Sequence, residues 1–234
     1  MKSLSRLSLA VAVLLLIGAY FVPIWSIDLE APQYPEGIGL HVRINTIEGK
    51  NPHDLKNING LNHYIGMKEI HPESVLLLKL LPYLFGAVIG LGALAVILNK
   101  QKLAVAFVFS FALVGMVSFA DFYRWEYDYG HNLNPNAAIK VPGMVYQPPL
   151  IGSKKLLNFT ATSLPTTGGY MMLAALLLGG FAALHSSRYC PIDWLRNRNG
   201  KAKNGSDKFL DESVIKEVEA ITEQRQKERQ YVAK

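Results

Sequence analysis

Three potential metal ligands recur at four-residue intervals in the segment LNHYIGMKEIH, residues 61–71. They are His63, Met67 and His71, and on a continuous helix they would form one column. Imidazole and thioether groups are soft donors that suit Cu(I). Pro72 disfavours helix at His71, so the helical spacing is expected to hold for the first two donors. The spacing leaves two interpretations open: a copper site, or two ordinary polar residues and a core methionine.

A second group of donors lies in DFYRWEYDYGH, residues 121–131. On a helix Asp121, Arg124, Asp128 and His131 would share one face. Imidazole with carboxylate suits copper(II), zinc or iron. The alternative is structural, because Arg124 can pair with either aspartate and satisfy its charge. The metal candidates are therefore His63, Met67, His71, His131, Asp121 and Asp128.

Four apolar segments must position these donors. Half of the 234 residues are hydrophobic and 18% are charged, and the apolar residues are concentrated in blocks. Each block reaches the roughly 18–20 residues that a helix needs to cross a bilayer. The sequence thus predicts an all-α membrane protein with four transmembrane helices at about 7–27, 75–98, 103–120 and 169–187.

Basic residues predict the orientation. They occur at the N-terminus, in the turn NKQK at 99–102 and in the C-terminal segment, which a four-span protein places on one side. By the positive-inside rule that side is cytoplasmic, so both termini are expected there. Two long extracytoplasmic loops follow, at 28–74 and 121–168. The net charge of +6 then reflects topology, and nucleic acid is not expected as a partner.

Local structure within these regions can be predicted from periodicity. Residues 40–49 alternate apolar and polar side chains, as in a strand. Residues 51–67 are expected to be helical or rich in turns, with Asn51 as a cap and an interruption at Gly60. The segment LIGSKKLLNF, residues 150–159, could lie flat on the membrane. Residues 188–234 are expected to form a cytoplasmic polar linker and an amphipathic helix.

Several classes of site are excluded by motif content. The chain has one cysteine, so it has neither an internal disulfide framework nor a CxxC site. It also lacks the GxSxG, P-loop and HExxH motifs. A binding or accessory role is therefore expected in preference to catalysis.

Four segments carry a resemblance: LNHYIGM, HPES, DYGHNLNPNAAIKVPGM and YQPPLIG…KLLNF. They are similar to a small family of bacterial integral membrane proteins encoded in gene clusters for nitrous oxide reductase and its copper-site maturation. The similarity extends over roughly residues 20–185. It implies a bacterial inner-membrane protein that handles copper for an extracytoplasmic copper enzyme or chaperone. Under it, His63, Met67 and His71 would form a Cu(I) relay, with His131 and Asp121 or Asp128 as a second locus.

Two alternatives remain at this stage. One is a metal-free assembly or scaffold subunit that binds a membrane partner. The other is a subunit similar to membrane copper monooxygenases, which carry Asp and His ligands on a helix at the membrane surface. That pattern is broken here, because Asp121 is followed four residues later by Trp125 and not by histidine.

Overall fold

The computed structural model describes residues 1–156 and 158–185, with Ala220 and Glu223. Within this part, five α-helices accompany one five-stranded antiparallel sheet, so the all-α prediction is wrong. The predicted C-terminal helix and linker at 188–234 lie outside the described ranges apart from those two residues. The elements are α1 Ser3–Ala19, β1 Trp25–Ala31, β2 Tyr34–Val42, β3 Ile47–Gly49, α2 Asp54–Ile65, α3 Leu76–Leu98, α4 Gln101–His131, β4 Gly152–Leu156, β5 Phe159–Pro165 and α5 Thr167–His185.

Three of the described helices, α3, α4 and α5, are long and apolar enough to cross a membrane. The predicted first span, 7–27, is wrong in its second half: α1 ends at Ala19 after 17 residues, and β1 begins at Trp25. Pro23 stands between them in an aromatic and β-branched stretch that favours extended backbone. Helix α1 packs closely on α5, where the Ser8 hydroxyl donates to the Leu178 carbonyl at 2.9 Å.

The sheet joins the two predicted loops. Its strand order is β3-β2-β1-β5-β4, so β1 from the first loop pairs with β5 from the second. The extended segment predicted at 40–49 is confirmed as the end of β2, a short connection and β3. Within the segment 150–159, for which an orientation flat on the membrane was expected, residues Gly152–Leu156 form β4 and Phe159 begins β5. Alternating Thr and apolar residues in FTATSLP, residues 159–165, favour a strand over an interfacial helix for β5.

Helix α2 confirms the helix predicted within 51–67 but differs from it in two details. Gly60 does not interrupt the helix, which continues to Ile65. Asn51 is not the cap; its backbone and side-chain N–H groups instead donate to the Asp54 carboxylate, at 3.1 Å each. Gly39 donates a third hydrogen bond to the same oxygen and so ties α2 to β2.

Helix α4 is longer than its apolar segment. Its 31 residues span about 46 Å, while the apolar stretch 103–120 accounts for about 27 Å. The remaining residues, 121–131, carry four charged side chains and pack with the two former loops. The Tyr146 N–H donates to the Gly130 carbonyl, and the Tyr129 hydroxyl donates to the Glu69 carbonyl. We call the sheet, α2, residues 121–131 and the segment 132–151 the cap.

Candidate functional site

The predicted column of His63, Met67 and His71 does not form. Gly66 adopts a left-handed conformation with φ 81° and ends α2, so Met67 lies beyond the helix. This break precedes the one expected from Pro72. His63 and His71 nevertheless line one open groove, together with Glu69 and Glu73. Met67 lies elsewhere, in the wall of a separate cavity.

The His71 ring has two acidic neighbours. Its Nε2 is 3.3 Å from Glu69 Oε2, and its Nδ1 is 3.7 Å from Glu73 Oε1. The two carboxylates approach opposite edges of the imidazole, so they do not converge on one point beside it. In the described ranges, no group of three His, Cys, Asp or Glu side chains is arranged to hold a metal ion.

The residues of the second predicted locus have separate partners. Asp128 accepts hydrogen bonds from Lys68 Nζ, at 2.5 Å, and from Asn132. The hydrogen bond from Lys68 lowers the pKa of the Asp128 carboxyl. The His131 ring stacks on Tyr127, and its Nδ1 is 3.0 Å from the Tyr127 carbonyl. Asp121 lies about 10 Å away along the helix axis from Asp128 and lines a different cavity.

The most unusual group of the cap is Glu126, which the sequence-based prediction did not single out. Its side chain is 0% exposed, and neither carboxylate oxygen has a hydrogen-bond partner among the described residues. It lies 15 residues after the buried Phe111, about four helical turns, so it continues the buried face of α4 within about 60°. That periodicity is the signal that could have identified it, because a charged residue on a buried face requires an explanation.

Glu126 lines a cavity of about 320 Å³ inside the cap. The walls come from the sheet, α2, the end of α4 and segment 132–151, and they are mainly apolar. Tyr146 lines the same cavity, and its hydroxyl is also buried without a hydrogen-bond partner in the described part. The apolar lining includes Ile27, Leu29, Ile38, Leu40, Leu61 and Ile70.

Burial sets the protonation state of Glu126. The residue lies six positions beyond the apolar stretch of α4 and is covered by the cap. Desolvation raises the pKa of its carboxyl from 4.5 to about 8, because the charged form has lost its hydration. At neutral pH the group is therefore mainly a neutral carboxylic acid, which can both donate and accept a hydrogen bond.

A buried polar group without a hydrogen-bond partner lowers the stability of a protein by roughly 1–3 kcal/mol. A bound ligand that supplies the partner removes this cost. An apolar cavity with a few converging polar groups is the usual form of a small-molecule site. This arrangement can hold an apolar molecule and hydrogen-bond one polar group on it. No protein-family profile matches the chain, and no curated protein shows significant similarity to it.

Proposed function

We propose that this protein is a membrane-embedded binding protein whose cap holds an apolar molecule with an uncharged hydrogen-bonding group. The observation that carries the proposal is the fully buried, unpartnered carboxyl of Glu126 in the wall of an apolar cavity. Catalysis is not part of this proposal.

The uncharged character of the ligand follows from the protonation of Glu126. A neutral carboxylic acid in an apolar wall complements a hydroxyl or carbonyl group. A cationic group would require Glu126 to ionise, and a buried ion pair must overcome the desolvation of two charges. An anionic group would lie in a cavity whose described lining contains no Lys or Arg. A neutral polar group therefore fits best.

Equilibrium binding of 1-octanol tests the proposal. The protein is reconstituted in phosphatidylcholine nanodiscs, and binding is measured as the excess over empty nanodiscs. Glu126→Leu removes the hydrogen bond and keeps an apolar side chain of similar size. One neutral hydrogen bond contributes about 1 kcal/mol, so the dissociation constant should rise by roughly five- to tenfold. Glu126→Gln keeps a donor and an acceptor and should bind nearly as well as wild type.

Glu30→Leu is the matched control, since Glu30 lies exposed on β1. It should bind like wild type. Equal affinity of wild type and Glu126→Leu would contradict the proposal, because the carboxyl would then meet no ligand group. Stronger binding of octylamine than of 1-octanol at pH 7 would contradict the assignment of an uncharged head.

A second candidate function is copper handling for the maturation of an extracytoplasmic copper enzyme, which is the most specific function that the resemblance implies. The supporting observation is that His63 and His71 line one groove with two glutamates. Imidazole and carboxylate suit copper(II) more than Cu(I). Anaerobic Cu(I) loading and aerobic Cu(II) loading, each followed by metal analysis, test it.

The copper candidate makes a specific prediction about variants. His63→Ala/His71→Ala should lose bound metal, while His53→Ala, on an exposed residue outside the groove, should retain it. Loss of Cu(I) on Met67→Ala would instead support the relay implied by the resemblance. Near-zero copper in wild type and all variants would contradict copper handling and favour the metal-free scaffold.

The proposed orientation has cytoplasmic termini in a bacterial inner membrane and an extracytoplasmic cap. It is supported by contacts at the other end of the helices. The N-terminal ammonium donates to the Asn99 carbonyl, and Arg6 Nε donates to the Val96 carbonyl. The basic N-terminus thus lies beside the basic α3–α4 turn, as the positive-inside rule requires. A reporter fused after Lys234 should be active in the cytoplasm; periplasmic activity would contradict this orientation.

A further inference from the structure

A second cavity, of about 180 Å³, lies where the cap meets the helices. Its walls include Leu81 and Phe85 of α3, Val114 of α4 and Met172 of α5, which belong to the three helices able to cross a membrane. Ile44 and Ile47 close it from the side of the sheet. We call it the lower cavity, and the cavity at Glu126 the cap cavity.

The lower cavity is mainly apolar. Among its described lining residues, the charged ones are Arg43 and Asp121. The Arg43 guanidinium is already engaged: Nε donates to Glu48 at 2.5 Å, and Nη1 donates to the Phe21 carbonyl. Apart from Asp121, the lining therefore suits a hydrocarbon chain better than a polar headgroup.

Trp125 lies between the two cavities as a wall that they share. Its side chain lines both of them, and it is adjacent in sequence to Glu126. The indole stacks on Phe122 on one side and contacts Tyr129 on the other, with ring centroids 6.3 Å and 4.4 Å apart. Trp125 thus borders both the lower cavity and the cap cavity.

We propose that the two cavities form one site for a single-chain, membrane-dissolved amphiphile, with its tail in the lower cavity, its uncharged head at Glu126 and Trp125 alongside. This inference rests on the proposed function and adds the ligand class and its source, the lipid phase. The head makes the hydrogen bond described above, and the tail replaces apolar contacts that it had in the bilayer.

Gly115 allows the lower cavity to be filled separately. It lines that cavity, and a Cβ built on it has no atom within 4 Å apart from its chain neighbours and the nearby backbone of its own helix. Gly115→Leu would therefore place an apolar side chain in the cavity without a backbone clash. Gly86 of α3 is the matched control, because its Cβ also meets open space while the residue is exposed and does not line the cavity.

The test compares 1-hexadecanol with 1-octanol in wild type, Gly115→Leu and Gly86→Leu, again as excess binding over empty nanodiscs. Gly115→Leu fills space that the tail needs, so part of the tail loses its packing contacts with the cavity walls and 1-hexadecanol should bind severalfold more weakly than to wild type. Binding of 1-octanol, which needs the cap cavity alone, should be unchanged in Gly115→Leu and so reports that the cap remains folded. Gly86→Leu should match wild type with both probes.

Unchanged 1-hexadecanol binding in Gly115→Leu, with 1-octanol still dependent on Glu126, would overturn the joined site and leave the proposed function intact. Loss of both probes in Gly115→Leu would overturn it as well, since the two cavities would not act on different parts of the ligand. Absence of Glu126-dependent 1-octanol binding in wild type would instead contradict the proposed function itself.

Discussion

At the scale of single residues, Glu126 makes the stability of the protein depend on pH. Its pKa is about 8 in the folded state and near 4.5 when exposed, so the folded state binds more protons between these values. The contribution of protonated Glu126 to the free energy of unfolding is fully present below about pH 4.5. It is lost as the pH rises through 8. The slope can reach about 1.4 kcal/mol per pH unit.

Glu126→Gln cannot ionise, so it should lose this dependence. Thermal unfolding of the purified protein between pH 5 and 9 should show the variant gaining stability over wild type as the pH rises. Glu30→Gln, on an exposed residue, should keep the wild-type profile. Parallel pH profiles for wild type and Glu126→Gln would show that Glu126 titrates normally.

At the scale of elements, we expect substitutions of two glycines, Gly60 within α2 and Gly66 at its end, to change the stability of the cap in opposite directions. Gly66 ends the helix at φ 81°, and a Cβ there would lie 2.9 Å from Ala137 Cβ and from the Asn134 carbonyl oxygen. Gly66→Ala should destabilise the cap by about 1–2 kcal/mol or more. Gly60→Ala adds a Cβ in open space within the helix and should stabilise it by roughly 0.5–1 kcal/mol.

Chemical unfolding monitored by tryptophan fluorescence tests the two substitutions, Gly66→Ala and Gly60→Ala. The two variants should shift the midpoint in opposite directions. A stabilising Gly66→Ala would contradict the left-handed end of α2 and would restore the continuous helix that the spacing of His63 and Met67 first indicated.

The same element shows how far the sequence could predict this site. Long uninterrupted apolar blocks located α3, α4 and α5, and local capping and turn signals located α2. The end of α2 was missed because Gly66 terminates a helix only through the contacts that accept its left-handed backbone. The strands β1, β4 and β5 were missed because they are short, and because the pairing of β1 with β5 joins residues more than 100 positions apart in sequence.

At the scale of the whole molecule, the main difference between the sequence-based prediction and the structure is that the two predicted loops pair to form one sheet. A disulfide can test this pairing directly. Glu30 lies opposite Thr160 across β1 and β5, whereas Thr162 lies opposite Asp28. In a Cys190→Ser background, Glu30→Cys/Thr160→Cys should cross-link on mild oxidation, since directly opposed residues are within disulfide range.

The control pair Glu30→Cys/Thr162→Cys is two positions out of register, where Cα atoms are about 7–8 Å apart and bridging is disfavoured. Non-reducing electrophoresis after proteolysis between the two positions distinguishes the products. Equal cross-linking of the two pairs would contradict the β1–β5 register and the cap cavity that depends on it.

The infrared absorption of Glu126 itself reports whether its carboxyl is neutral and whether a ligand hydrogen-bonds to it. A protonated carboxylic acid has a C=O stretch well separated from that of an ionised carboxylate, and ether-linked lipid nanodiscs add no ester carbonyl. At pH 7 we expect a carboxylic-acid band in wild type that is missing in Glu126→Gln and moves to lower frequency when 1-hexadecanol hydrogen-bonds to it. No difference between wild type and Glu126→Gln, or a band that 1-hexadecanol leaves unmoved, would contradict a neutral ligand-binding carboxyl in the cap cavity.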